Sequence, residues 1–298
     1  MSVEVDGRRL QLSNLHKVLY PETGFTKAEV IDYYARVAPA LLPHVQNRPV
    51  SFKRYPDGVD GEGFFAKNAP SHTPKWVRTV TLPVPGSTLA RETIDYVVIE
   101  DVPTLIWTAN LAALELHVPQ WTVGPRGGVR QADLVVFDLD PGAPATIVEC
   151  CRVACLLREE LAAEGLDAWV KSSGSKGLQM YVPIAEAPTE RTSGHAKELA
   201  QRLERQHPDL VVHRMAKHLR PGKVLVDWSQ NNAAKTTVAP YSLRARPLPT
   251  VSTPVSWDEV EACRNPDDLR FLPKDVLARV EEDGDLMAPL LNTRQTLP

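Results

Sequence analysis

Asp138 and Asp140 close a short apolar run, Leu134-Val135-Val136-Phe137-Asp138-Leu139-Asp140, which Pro141-Gly142 then ends. A run this short between turn signals reads as a buried strand. Side chains alternate along a strand, so both carboxylates point the same way. Two such groups on one face repel each other and lose hydration. A hard divalent cation relieves both penalties, because it takes carboxylate oxygens as ligands. The bland alternative is a strand that ends in a solvated acidic turn, and a D-x-D spacing alone leaves the two readings open.

Other residues suited to phosphate chemistry lie on either side. Ser172-Ser173-Gly174-Ser175-Lys176-Gly177 joins two strand-like segments. Its small residues can turn backbone N–H groups toward a phosphate, and Lys176 adds charge. A Walker A loop would lead into a helix; this one leads into a strand, beginning Leu178-Gln179. Arg214, Lys217, Arg220 and Lys223 crowd the segment before Val224-Leu225-Val226-Asp227-Trp228, an apolar run broken by one acid. Such an acid needs a partner or a metal. Near the N-terminus, Thr26-Lys27-Ala28-Glu29 forms a capping box. Lys27 then sits in a helical first turn, where a cation is unfavourable unless an anion is held there, and Lys17 lies just upstream. Phe64-Phe65-Ala66-Lys67 follows a Gly-rich turn and suits base stacking as well as core packing.

The elements that must position these groups are short. The sequence predicts strands at 50–55 and 168–171, short strands within 76–101 around the loop Pro85-Gly86-Ser87, and helices over 26–42, 105–116, 145–163 and 192–206. Composition is that of an ordinary globular chain: 298 residues, 43% hydrophobic and 24% charged. Cys150, Cys151, Cys155 and Cys263 include no C-x-x-C pair and the histidines are scattered, so a zinc site is not expected. No apolar run approaches the ~18 residues of a membrane span, and a cytoplasmic protein with no membrane partner is expected. Net charge is only -3, yet Lys171–Arg246 holds 13 bases against 6 acids, and Asp258–Asp285 holds 10 acids against 4 bases. That asymmetry allows one positive face despite the total.

Four segments occur in a telling order: LELHVPQW, VVFDLDPG, SSGSKGL and VLVDWSQNNAAKTTVAPYSLRARP. Together they resemble the polymerase domain of the bacterial DNA ligase D family, within the archaeo-eukaryotic primase superfamily. The resemblance covers residues 17–285. It implies an α+β primase-polymerase-like fold: a mixed-sheet catalytic palm flanked by helices (126–298), with an N-terminal α/β module (1–125) packed on it in a single domain. It implies a nucleotidyltransferase that adds ribo- or deoxyribonucleotides at gaps and double-strand breaks, with two manganese or magnesium ions. A DNA ligase and an end-binding protein are the implied partners. Asp138, Asp140 and Asp227 match the family's metal carboxylates, and His117 matches a histidine near the incoming nucleotide. Ser173, Lys176, Arg220 and Arg244 match nucleotide contacts. Lys17 and Lys27 match a 5′-phosphate site, and Phe64 and Phe65 match a template-stacking pair.

One position departs from the pattern. The family usually carries histidine after Ser-Gly-Ser-Lys-Gly-Leu, touching the triphosphate; here the residue is Gln179. Glutamine can donate a hydrogen bond but is never cationic, so the expectation is a weaker triphosphate contact. Two other readings remain at this point. One is a D-x-D phosphatase with Asp138 as nucleophile, although Pro141 interrupts the usual D-x-D-G. The other is a DNA-end-binding scaffold with reduced catalysis.

Overall fold

A computed structural model describes residues 1–83 and 92–298; the loop expected at Pro85-Gly86-Ser87 lies outside the described residues. The chain opens with two hairpins, β1 (Ser2–Val5) with β2 (Arg8–Gln11) and β3 (Val18–Tyr20) with β4 (Phe25–Thr26). Helix α1 (Lys27–Val45) follows, capped as its sequence demands: the Thr26 hydroxyl accepts from the Glu29 N–H, and the Glu29 carboxylate accepts from the Thr26 N–H. Val30, Tyr34, Val37 and Leu41, spaced as one helical face, are all fully buried. They pack on an antiparallel six-stranded sheet.

That first sheet takes β5 (Pro49–Arg54), β6 (Phe64–Ala66), β7 (Thr79–Pro83), β8 (Thr93–Val98) and, after helix α2 (Val102–Asn110), β9 (Ala113–Val118). The helix expected over 105–116 is therefore two elements. Asp101 caps α2, and Ala112 at φ +55° turns the chain out of helical conformation. Beyond it Leu114 and Leu116 alternate with Glu115 and His117, and β9 pairs with β5 in the centre of the sheet. Apolar spacing over so short a run does not separate the two periods.

The second sheet is built on β11 (Val129–Pro141), which carries Asp138 and Asp140. Strand β10 (Trp121–Val123) pairs with its start. After helix α3 (Ile147–Ala163) come β12 (Trp169–Ser172) and β13 (Leu178–Ala187), then helix α4 (Thr189–Gln206), β14 (Val211–Val212) and β15 (Val224–Asp227). Strand β16 (Thr237–Val238) returns to the first sheet and pairs with β9. Strand β17 (Pro254–Val255) ends the second, whose main order is β14-β15-β11-β13-β12-β17. Only β14 and β15 are parallel within that path. Helices α5 (Trp257–Ala262), α6 (Pro273–Asp283) and α7 (Pro289–Asn292) complete the chain.

Alternation in the second sheet divides grease from chemistry. Val135, Phe137 and Leu139 of β11, Leu178 and Met180 of β13, and Val224 and Val226 of β15 share one core with α3 and α4. Asp138, Gln179 and Asp227 occupy the intervening positions, so the strand period places them on the opposite face. Among the described residues no helix is long and apolar enough to cross a membrane.

Candidate active site

The register of three strands brings the acids together. Asp138 on β11 lies directly opposite Asp227 on β15 and, on its other side, opposite Gln179 on β13. Asp140 follows two residues along on the same face. The crowding is visible in the acidities. Burial, then the neighbouring Asp140 and Asp227, push the Asp138 carboxyl up to about 7 against a Gln179 hydrogen bond that favours ionisation. Burial and Asp227 also raise Asp140, opposed by Arg220 and Arg244. Oxygen-only donors that repel one another suit a hard divalent cation.

The third carboxylate is turned partly away. Asp227 Oδ1 accepts from the Ser229 N–H at 2.9 Å and the Ser229 hydroxyl at 2.6 Å, and Oδ2 accepts from Gln230 Nε2 at 2.9 Å. Among the described residues no three His, Cys, Asp or Glu side chains converge into a finished metal cage. Asp138 and Asp140 thus fit a metal as they stand. Asp227 fits it only through lone pairs shared with its own capping turn.

The loop between β12 and β13 is fixed from inside. The Ser173 hydroxyl accepts from the Ser175 and Gly177 N–H groups, each at 3.2 Å. Arg244 donates to the Ser173 carbonyl, and Thr250 donates to the Gly174 carbonyl at 2.6 Å. Gly177 lies against β11 so closely that a Cβ would strike the Leu139 carbonyl. Only glycine allows that approach. Lys176 is left exposed at the loop tip. Arg220 donates to the Met215 carbonyl at 2.5 Å, and its backbone packs on Gly142 just past the D-x-D strand.

His117 faces this ensemble from the first sheet. Its Nε2 lies 2.8 Å from Glu115 Oε2, and Arg244 Nε stands 3.4 Å from the same oxygen. Burial would raise Glu115, but the His117 hydrogen bond, the Arg244 guanidinium and the Ala245 N–H bring it down to about 2. Burial outweighs Glu115 on the imidazole and lowers its pKa. His117 is therefore a neutral ring whose Nε2–H donates to the carboxylate, which leaves Nδ1 as an acceptor.

A second group lies around the β3–β4 hairpin. The Lys27 N–H donates to the Lys17 carbonyl at 2.8 Å, so residues ten apart become neighbours. The Lys27 ammonium is buried, 3.5 Å from Ser13 Oγ, and its pKa is lowered by burial, then by Lys17 and Arg54. Lys17 is held by Asp57 at 2.7 Å. Three mutually repelling cations beside a helix N-terminus suit an anion. Phe64 and Phe65 are 45% and 56% exposed, so both are presented to solvent rather than packed in the core. Arg54 stacks 5.3 Å from the Phe64 ring, and Phe65 meets His117 edge-on at 5.4 Å. Phe65 thus links this group to His117. A cavity of about 430 Å³ lies not here but behind Tyr181, lined by Arg48, Gln120, Asp133 and Arg294. Of the three carboxylates, Asp140 is exposed, Asp138 half-buried and Asp227 buried.

Residues 26–287 match the family model for the LigD primase-polymerase domain. This chain belongs to the LigD primase-polymerase family. It is 47% identical over 284 residues to the multifunctional non-homologous end joining protein LigD of Mycolicibacterium smegmatis, covering 95% of this chain and 36% of that protein. It is 34% identical to the bifunctional LigD of Bacillus subtilis, covering 93% of this chain and 43% of the relative. The polymerase domain of Mycobacterium tuberculosis ligase D, solved in complex with DNA, superposes with a TM-score of 0.89 at 42% identity, covering 96% of this chain and 99% of that one. The chain thus spans little more than a third of the multifunctional LigD proteins it matches. The primase-polymerase α+β fold expected from the sequence is the fold observed.

Four residues of this LigD-type site were not singled out from sequence. Glu115, Arg54 and Lys53, whose ammonium stands 5.9 Å from the Phe65 ring, lie within expected elements, but nothing local marks them. Lys171 is fully buried and donates to Gln179 Oε1 at 2.6 Å. A lysine in an otherwise apolar strand was the available signal. Gln179 is also placed differently from a triphosphate contact at a loop exit. It is 5% exposed, with one end of its amide on Lys171 and the other on Asp138.

Proposed function

We propose that the chain is a nucleotidyltransferase that extends a primer 3′ end with ribo- or deoxyribonucleotides at gaps and broken DNA ends, in the non-homologous end-joining for which its relatives are named. The observation that carries this is the pairing of Asp138 beside Asp227, with Asp140 on the same face, next to the Ser173–Gly177 loop. Asp138 and Asp140 would hold two divalent ions, manganese or magnesium, with Asp227 completing the primer side. Bound there, the ions supply Lewis-acid activation of the 3′-hydroxyl and charge neutralisation on the departing pyrophosphate. Lys176 and Arg220 neutralise the triphosphate. Arg244 and the Ser173 hydroxyl hold the loop in shape, and His117 Nδ1 accepts from a nucleotide hydroxyl. Lys17 and Lys27 bind a downstream 5′-phosphate, and Phe64 and Phe65 stack on the template. A DNA ligase and an end-binding protein complete the set of partners.

The test is primer extension on a gapped duplex with ribo- and deoxyribonucleoside triphosphates, in manganese and in magnesium. Extension that disappears in Asp138→Ala, Asp140→Ala and Asp227→Ala while DNA binding persists supports the reading. Extension by Asp138→Ala at the wild-type rate refutes it. A protein that binds ends but never extends them is the scaffold of the alternative reading.

A further inference from the structure

Lys171, Gln179, Asp138 and Asp227 are successive partners across β12, β13, β11 and β15. Lys171 is fully buried, with no carboxylate at its ammonium among the described residues. It donates to Gln179 Oε1 at 2.6 Å and to Ser252 Oγ at 2.5 Å, and stands 5.5 Å above the Tyr181 ring. Ser252 passes a hydrogen bond on to the Ser172 carbonyl at 3.0 Å. The Tyr181 hydroxyl, 3.4 Å from Gln179 Oε1 and 3.0 Å from Thr237 Oγ1, approaches the same amide oxygen.

This settles which way the amide points. Burial, then Arg244, hold the Lys171 pKa well below its ordinary value; charged or neutral, the amine keeps N–H donors for both Ser252 and Gln179, so the oxygen of Gln179 faces Lys171. The amide N–H₂ must then face Asp138, where Nε2 lies 3.1 Å from Oδ1. We propose that Gln179 is a positioning residue for the metal carboxylate: it occupies Asp138 Oδ1 and leaves Oδ2 for the metal, and buried Lys171 locks the amide in that sense. This rests on the metal-binding reading of Asp138. It differs from a triphosphate contact in one consequence: Gln179 acts before any nucleotide is present. A ligand carboxylate whose other oxygen is held by hydrogen bonds binds its metal in one geometry, and loss of such a partner costs about 10- to 100-fold in affinity. Without Lys171 the amide can rotate and set Oε1 against Oδ1, acceptor against acceptor.

The experiment is a titration of the whole chain with Mn²⁺ alone, reading free Mn²⁺ by electron paramagnetic resonance, with no nucleotide or DNA. Wild type, Asp138→Asn, Gln179→Leu, Lys171→Met, the Gln179→Leu/Lys171→Met double variant and Gln179→His are compared. Gln179→Leu and Lys171→Met should each weaken Mn²⁺ about tenfold or more, and the double variant should lose no more than the worse single, because the two act in series. Gln179→His should stay near wild type, since a neutral imidazole also carries one acceptor and one donor. If Lys171→Met does not fold, Gln179→Leu decides alone, as it leaves the lysine and its Ser252 bond in place. Wild-type affinity in Gln179→Leu, with binding lost in Asp138→Asn, overturns the inference and leaves the metal site standing. Equal binding by wild type and Asp138→Asn removes the metal reading, and the inference with it.

Discussion

Replacing Asp138 with asparagine should make the metal-free protein more stable while making it inactive. Asparagine keeps the shape and an oxygen for Gln179 but removes one charge from a face that also carries Asp140 and Asp227. The Asp138 pKa stands at about 7, above its ordinary 3.8. The folded state therefore holds this proton more tightly than the unfolded chain does. Its contribution is level below about pH 4, falls between about 4 and 7, and is level again above. The full cost of ionisation is on the order of 4 kcal/mol. Because the Asp138 side chain is only half-buried, solvent screening reduces the expected gain to about 1–3 kcal/mol. For a chain of this size that is about 2–5 °C in melting temperature. The assay is thermal melting of wild type and Asp138→Asn in EDTA at about pH 4.5 and pH 8, then with Mn²⁺. The variant should melt higher at pH 8, and the gap should nearly close at pH 4.5. Mn²⁺ should raise the wild type alone. A variant that melts at or below wild type at pH 8 without metal would refute the argument that these carboxylates are crowded for an ion.

Other substitutions separate the remaining parts of the site. Lys17→Ala combined with Lys27→Met should erase any preference for a 5′-phosphate over a 5′-hydroxyl on gapped DNA and flatten the salt dependence by about one unit per contact, leaving simple extension intact; filter binding across a salt series reads both. Phe64→Ala and Phe65→Ala should each weaken binding to a single-stranded template by about 1–3 kcal/mol, measured by fluorescence anisotropy, with fully duplex DNA unaffected. Glu115→Gln should raise the nucleotide Michaelis constant by freeing His117 and Arg244. Because the Glu115 pKa is depressed to about 2, its stabilisation is present above the ordinary carboxylate range and is lost as pH falls toward 2. Wild type should therefore melt above Glu115→Gln at neutral pH, with the difference fading as acid is added.

What could be read from the chain followed how local each determinant was. The D-x-D strand, the Thr26–Glu29 cap and the strand–loop–strand around Lys176 are each written within a dozen residues, and each has a short-range cause. The end of α2 at Asn110 was not legible, because Leu114 and Leu116 fit either period until β5 pairs beside them. Nor was the role of Gln179. Its neighbours Lys171 and Asp138 are set by sheet register, and register belongs to the assembled sheet rather than to any one segment. Asp227 was legible as an unusual acid. The capping turn that draws it toward Ser229 and Gln230 became apparent only in three dimensions.

The return of β16 to the first sheet bears on how this protein is made. Tyr33 and Tyr34 in α1 place their hydroxyls on Tyr241 and Leu243, more than 200 residues later. Ala239, Tyr241, Leu243 and Val251 belong to the same apolar core as α1 and β9. The first half of the chain therefore leaves the ribosome with a sheet edge and a core that only the last quarter can close. Until residue 251 has emerged, β9, paired only with β5, offers one open edge and α1 an incompletely covered apolar face, the surfaces that nascent chains must keep from one another. Scission between 126 and 236 would accordingly yield two halves that must be coexpressed and reunited, rather than two working modules.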